Sequence, residues 1–475
     1  MAYTPLMPTA ITPLSNVDAA WLKMEDPANL MMVTGVLTFR KPVDFEYFRA
    51  LIESRLLQFD RFRQRVIRPA LPLAPYYWEY DPHFNVNAHL HRVGLPHPHD
   101  KWALQRLVST LMSTSLDFSK PLWQMHVVDG YGDGGAIIVR LHHAMADGMA
   151  LVGVLLALTE LSPAAPRPNG AALALNGVDD VEPPGGVRAS WEAMQLRAAA
   201  LMGKSVSVGR RALIEGLESY LNNDRPRALA ELTADYAHAA SKLVLRAPDP
   251  HTVFKGKLGV AKRAAWSRPL PLSELKAMRR NTGATINDLM TAAVAGGLRR
   301  YLEAHGQEVV DFRAAVPVNL RGPRDMGEMG NKFGLVFLDL PVSAVDMPRR
   351  LALVRYRMEA LKDSQEAPVA LDILGAIGFS AQAIQDAVVR IIGTKATAVL
   401  TNVPGPPIPL YLAGQPVESL MFWVPQSGRL GLGISILSYA NNIYLGIATD
   451  AGLIPDPDEI MLGFYAEYDE LLGLA

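Results

Sequence analysis

Residues 161–186 read LSPAAPRPNGAALALNGVDDVEPPGG, a run dense in Pro, Gly, Ala and Asp with no helical or strand period. Proline withholds a backbone donor and glycine adds backbone freedom, so such a run joins folded units rather than belonging to one. A chain of 475 residues is too long for a single core, and this run divides it. The expected organisation is an N-terminal domain at 1–160, a linker and helical connection at 161–256, and a second domain at 257–475.

Each of the two larger parts mixes strand and helix patterns. Gly135 to His143 (GAIIVRLHH) is a strand, and the apolar ADGMALVGVLLALTEL that follows is a helix. INDLMTAAVAGGLRRYLEA is a periodic helix with Asn287 and Asp288 near its start, where such side chains commonly cap. LGLGISILSYANNIYLGIATD reads as two strands joined at Asn441-Asn442. The fold class is therefore α/β with mixed sheets, neither a repeat nor an all-parallel barrel.

Several chemistries are excluded. The sequence has no cysteine, so disulfides, thiolate nucleophiles and Cys-based metal sites drop out. It has no G-x-S-x-G elbow, no Walker loop and no H-E-x-x-H pair. Gly130 to Gly135 (GYGDGG) precedes a strand rather than a helix and reads as a hairpin turn, not a dinucleotide loop. The histidines between His83 and His99 invite a metal assignment. Phe84, Val86, Ala88 and Leu90 alternate with polar residues there, however, so a half-buried strand with its polar groups outward is the expectation. No metal and no cofactor are expected. A net charge of −1 supplies no global field for nucleic acid.

The N-terminus lacks a basic region followed by an apolar core, so it does not read as a secretory signal. The most apolar run, Met149 to Leu158, is too short to cross a hydrocarbon layer about 30 Å thick. The expected location is cytoplasmic, with any membrane or lipid-droplet contact peripheral. Trp191, Met194, Leu201 and Met202, mixed with Arg188, Arg197, Lys204, Arg210 and Arg211, form a candidate basic amphipathic surface for anionic lipid.

The chemistry concentrates in RLHHAMADGM, Arg140 to Met149. On a strand, side chains alternate, so His142 and His143 point to opposite faces and only one of them serves a given cavity. Gly148 lets the chain turn into the following helix. An imidazole that titrates near neutrality suits a general base. A base with no covalent nucleophile beside it points to direct transfer of an activated acyl group.

H-H-x-x-x-D-G, as His142 to Gly148, is the signature of the CoA-dependent acyltransferase superfamily. The chain more narrowly resembles bacterial wax ester synthase/diacylglycerol acyltransferases. The resemblance rests also on PLSNVDAAWLKME (Pro13 to Glu25, with Trp21 where Phe is commoner), PLW (Pro121 to Trp123) and the Asn287-Asp288 pair. VPVNLR (Val316 to Arg321), GNKFG (Gly330 to Gly334) and TNVPGP (Thr401 to Pro406, where Ser usually begins the motif) complete it. It implies two chloramphenicol-acetyltransferase-like domains with a substrate channel between them. It also implies acyl-CoA as donor, and diacylglycerol or a long-chain alcohol as acceptor. By residue match His143 is the general base, and Asn287 orients substrate or stabilises the oxyanion, supported by Asp288. His142 is structural, and Asp147 turns from the substrate to pair with an arginine, for which Arg321 is the candidate. Two alternatives remain: a condensation-type enzyme fed by a carrier protein, and a catalytically silent lipid-binding or droplet protein that keeps the fold.

Overall fold

The computed structural model describes residues 11–68, 75–163, 246–321, 329–362, 366–371, 393–426 and 430–474. The proposed lipid-facing surface around Trp191 and Arg210, with nearly all of the linker and helical connection, lies outside them.

The first sheet is built from β1 (Met32–Phe39), β2 (Leu90–Gly94), β3 (Trp123–Tyr131) and β4 (Gly134–His142). β1 pairs antiparallel with β4, β4 with β3, and β3 runs parallel to β2. The β3–β4 connection is the hairpin expected at GYGDGG, with Gly130 and Gly132 both at positive φ. Its outer edge is completed from far along the chain. Ser419–Trp423, a crossover strand, pairs antiparallel with β1 from Ser419↔Thr38 to Trp423↔Thr34.

The second sheet contains β5 (Lys262–Trp266), β6 (Phe312–Asn319), β7 (Phe333–Leu340), β8 (Ala398–Pro404), β9 (Leu432–Tyr439) and β10 (Asn442–Asp450). Its order is β7-β6-β8-β9-β10-β5, with the β6–β8 and β8–β9 pairs parallel and the others antiparallel. Both sheets are thus mixed, as the alternation of patterns implies. The β9–β10 turn falls on Ala440 and Asn441, one residue earlier than expected, and both take positive φ. A two-residue turn of that hand matches the twist of the strands it joins.

Helices α1 (Asn16–Lys23), α2 (Phe45–Ser54), α3 (Lys101–Met112) and α4 (Gly148–Leu158) belong to the first part. The second part contributes α5 (Leu272–Thr282), α6 (Ile286–Ala304), α7 (Met347–Lys362) and α8 (Pro457–Leu472). No helix among the described residues is long and apolar enough to cross a membrane. Two large apolar clusters form, one around Trp78, Trp123 and Trp423, the other around Phe254, Phe312 and Phe464.

The two parts are stitched by more than the crossover strand. The free edge of β5 is closed by α3: Ser113 Oγ accepts from Lys262 N at 2.8 Å, and Ser109 Oγ accepts from Ala264 N at 3.0 Å. Covering an edge in this way satisfies donors that would otherwise invite a foreign strand. The buried Lys262 ammonium donates to Asp450 Oδ2 at 2.8 Å and to the Ala28 carbonyl across the seam at 2.7 Å.

One sequence expectation fails. The alternating stretch from Phe84 to Leu90 is not a strand. Val86–Ala88 is a 3₁₀ turn, and strand geometry begins only at Leu90. The Asn85 side chain accepts from Asn87 N at 3.0 Å, a local bond that competes with ladder pairing. His89 is consequently not outward: it is buried, stacked on Trp123 at 4.5 Å, with Nδ1 donating to the Trp123 carbonyl at 2.8 Å.

Candidate active site

β4 ends at His142, and the following loop carries His143 to the seam between the two parts. His143 N donates to the Met31 carbonyl at 2.7 Å, continuing the β1–β4 pairing one residue beyond the strand. The side chains then diverge, in line with strand parity. His142 lies edge-on to Phe118, whereas His143 stacks on Trp21 of α1 at 4.2 Å and 16° and lies 5.6 Å from Phe333 of β7.

Hydrogen bonding assigns a different tautomer to each ring. Asn331 Nδ2 donates to the Asp18 carboxylate at 2.7 Å and to the His143 carbonyl at 2.8 Å, both obligate acceptors in this setting. That orientation turns Asn331 Oδ1 toward His143 Nδ1, 2.8 Å away. An amide oxygen only accepts, so Nδ1 carries the proton and Nε2 holds the lone pair. For His142 the reverse holds. Its Nδ1 accepts from Ala144 N at 3.1 Å, which leaves the proton on Nε2, facing the Glu25 carboxylate at 3.4 Å without good hydrogen-bond geometry.

His143 is buried, 6% exposed, and burial pushes its pKa down to about 4 against the smaller opposing pull of Asp147 and Asn331. At neutral pH the ring is therefore neutral and ready to accept a proton. Asp18, whose carboxylate anchors Asn331, has its pKa raised by burial and held back by its hydrogen bonds to Asn331 and Ser15.

Asp147 does not contact the imidazole edge. It is the N-cap of α4, accepting from Ala150 N at 3.0 Å, and it receives Arg321 Nε at 2.9 Å and Lys332 N at 3.0 Å. Arg321, from the VPVNLR segment, also donates to the Gly330 carbonyl at 2.5 Å. The GNKFG segment thus runs along the motif loop: Gly330 bridges to Ala146, Asn331 reaches His143, Lys332 binds Asp147 and Phe333 flanks the ring. Gly330 sits at φ 98°, and a Cβ there would lie 3.1 Å from Asp18 Oδ2, so both backbone and space call for glycine.

Asn287 does not cap its helix. Thr285 is the N-cap of α6, and Asp288 completes a capping box with it, at 3.1 and 2.8 Å. Asn287 Oδ1 instead accepts from Asn402 Nδ2 at 2.9 Å. Asn402 belongs to the TNVPGP segment, whose next residue, Val403, lies against Gly148 at the start of α4. The geometry brings together His143, Asn331, Asp18 and Trp21, with Asp147 and Arg321 behind them. Asn331, Asp18 and Trp21 lie in segments whose patterns were legible, yet no spacing rule links them to His143.

Among the described residues, His305, Asp456 and Glu459 place one potential metal-ligating atom each within 4.8 Å of one another. Ion pairing accounts for the group. The Tyr301 carbonyl on Nδ1, and then the two carboxylates at 3.5 and 3.7 Å, push the His305 pKa up.

Comparison with known proteins bears on the family and the fold. Residues 14–290 match the wax ester synthase/diacylglycerol acyltransferase catalytic domain, and residues 329–472 match the C-terminal domain of the same proteins. A relative from Mycobacterium tuberculosis named as a diacylglycerol O-acyltransferase is 29% identical over 98% of this chain and 90% of its own. Another, from Mycobacterium bovis and named likewise, is 27% identical over 97% of this chain and 96% of its own. The wax ester synthase/diacylglycerol acyltransferase of Marinobacter aquaeolei VT8 superposes with a TM-score of 0.66 at 20% identity, covering 97% of this chain and 98% of that one. The first condensation domain of the CDA synthetase shares the fold at a TM-score of 0.60 and 17% identity, over 98% and 96% of the two chains.

Proposed function

The chain belongs to the wax ester synthase/diacylglycerol acyltransferase family, and from that premise we propose that it moves a long-chain acyl group from acyl-CoA to the hydroxyl of diacylglycerol or of a fatty alcohol. The observation that carries the mechanism is the Asn331 oxygen on His143 Nδ1, which leaves a lone pair on Nε2.

In the proposed reaction the acceptor hydroxyl gives its proton to His143 Nε2 as its oxygen bonds to the thioester carbonyl carbon. The carbonyl π electrons move onto oxygen, forming a tetrahedral oxyanion. Collapse re-forms the carbonyl and breaks the carbon–sulfur bond, and the departing CoA thiolate takes the proton back from Nε2. Acyl donor and acceptor exchange one acyl group and one proton, and the protein ends as it began. Asn331 holds the ring in register through both transfers, and Asp147 with Arg321 fixes the loop. Asn287, paired to Asn402, orients substrate next to the start of α4. These steps draw on the side chains alone, with acyl-CoA as substrate rather than cofactor.

The test is incubation of the purified protein with radiolabelled palmitoyl-CoA and, separately, diolein, hexadecanol and short alcohols. Labelled triacylglycerol or wax ester is expected from the wild type, and its loss in His143→Ala. If no acceptor yields labelled ester, the reading fails, and a carrier-protein donor or a lipid-binding role takes its place.

A further inference from the structure

Trp21 stacks flat on the base, and the residue is 7% exposed. Its indole Nε1 is buried and has no hydrogen-bond partner among the described residues. A buried donor without an acceptor is a standing free-energy cost that a bound oxygen removes.

That N–H is not spent on the acceptors around the Nδ1 edge of His143. The Nδ1 edge of His143 is closed by Asn331 and Asp18. The indole N–H pairs with neither the amide oxygen of Asn331 nor the carboxylate of Asp18. The opposite edge carries Nε2, where the proposed reaction places the attacking hydroxyl and the thioester carbonyl. An indole nitrogen donates and never accepts, so its ligand atom must be an acceptor oxygen.

Building on the acyltransfer reading above, we propose that Trp21 Nε1–H donates a hydrogen bond to the thioester carbonyl oxygen and strengthens it as that oxygen becomes the oxyanion. A phenylalanine at this position keeps a stacking face but has no donor, so the contribution belongs to the indole. The carbonyl gains negative charge only on the way to the tetrahedral intermediate, so the bond is worth more there than in the ground state.

The test compares wild type, Trp21→Phe and a Trp21→3-benzothienylalanine variant, the last isosteric with tryptophan but without the N–H. With palmitoyl-CoA and either hexadecanol or diolein, both variants should lose about 10²-fold in kcat with KM changed little. Their melting temperatures should track the wild type; should the Phe variant fold poorly, the benzothienyl variant carries the comparison. Undiminished kcat overturns the proposal, as does a loss confined to diolein, which would move the bond to an acceptor ester. A binding arm stands apart from turnover. In ¹⁵N-indole-labelled protein, a palmitoyl-CoA analogue with CH₂ in place of the thioester sulfur should shift the Trp21 N–H proton downfield. An unmoved resonance overturns the assignment. A shift in a wild type that makes no ester would sink the acyltransfer reading while leaving the Trp21 contact standing.

Discussion

Asn331 holds His143 from two sides, its Oδ1 2.8 Å from the ring nitrogen Nδ1 and its Nδ2 2.8 Å from the backbone carbonyl of the same residue. The imidazole therefore cannot rotate about χ2 or exchange tautomers without breaking a contact to one amide. That amide is itself pinned to Asp18, so orientation passes from α1 through Asn331 to the base.

Asn331→Ala removes the acceptor and frees the ring. We expect kcat to fall by about 10²-fold or more, within the range that positioned acid–base catalysis supplies, while KM for acyl-CoA moves little. Steady-state kinetics on the purified variant check this; an unchanged kcat would show that the tautomer is set by something else.

Asp147→Asn keeps a competent N-cap for α4 but removes the carboxylate charge from the buried pair with Arg321. Leaving one member of a buried pair costs about 3–5 kcal/mol, so denaturant midpoint and soluble yield should both drop along with activity. A variant as stable as the wild type yet inactive would instead assign Asp147 a direct part in the chemistry.

The depressed pKa of His143 makes stability pH-dependent in a definite direction. The unfolded chain binds a proton at this residue below about 6.5, and the folded chain only below about 4. Stability from this group is therefore complete above about 6.5 and is lost as pH falls toward 4, by about 3 kcal/mol in all. His126 shifts the same way, so the measurement is a difference: urea melts of wild type and His143→Gln from pH 7.5 to 4.5. The wild type should lose more stability than the variant as pH falls, and parallel curves would refute the assignment.

Asn287→Ala separates capping from substrate handling. Since Thr285 and Asp288 cap α6, this substitution should barely move the melting temperature, whereas Thr285→Ala should cost about 1 kcal/mol. The expected kcat loss for Asn287→Ala is about 10-fold, smaller than for a direct oxyanion donor. A large stability loss with intact kcat would reverse the roles.

Local periodicity made much of this legible. The strand into RLHHAMADGM, the α4 and α6 helices and the β9–β10 hairpin all follow from patterns within a few residues. Asp147 and Arg321 also meet as the resemblance implied. The hold on His143 was illegible for a geometric reason: Asn331 stands 188 residues away and Asp18 belongs to a third segment. Their meeting is a property of the seam, which no window of sequence contains. The Phe84–Leu90 stretch misled in the opposite way. Its alternation is real, but one asparagine side chain diverts the backbone into a turn before a strand can form.

The crossover strand carries a consequence for synthesis. Ser419–Trp423 emerges only after most of the chain, so until then β1 has one unpaired edge from Thr34 to Thr38. GNKFG, which steadies the base, also comes from the later part. A nascent or truncated chain ending before Ser419 would expose a sticky β-edge of the kind that recruits foreign strands. Activity and protection from aggregation thus both wait on the late arrival of the C-terminal part.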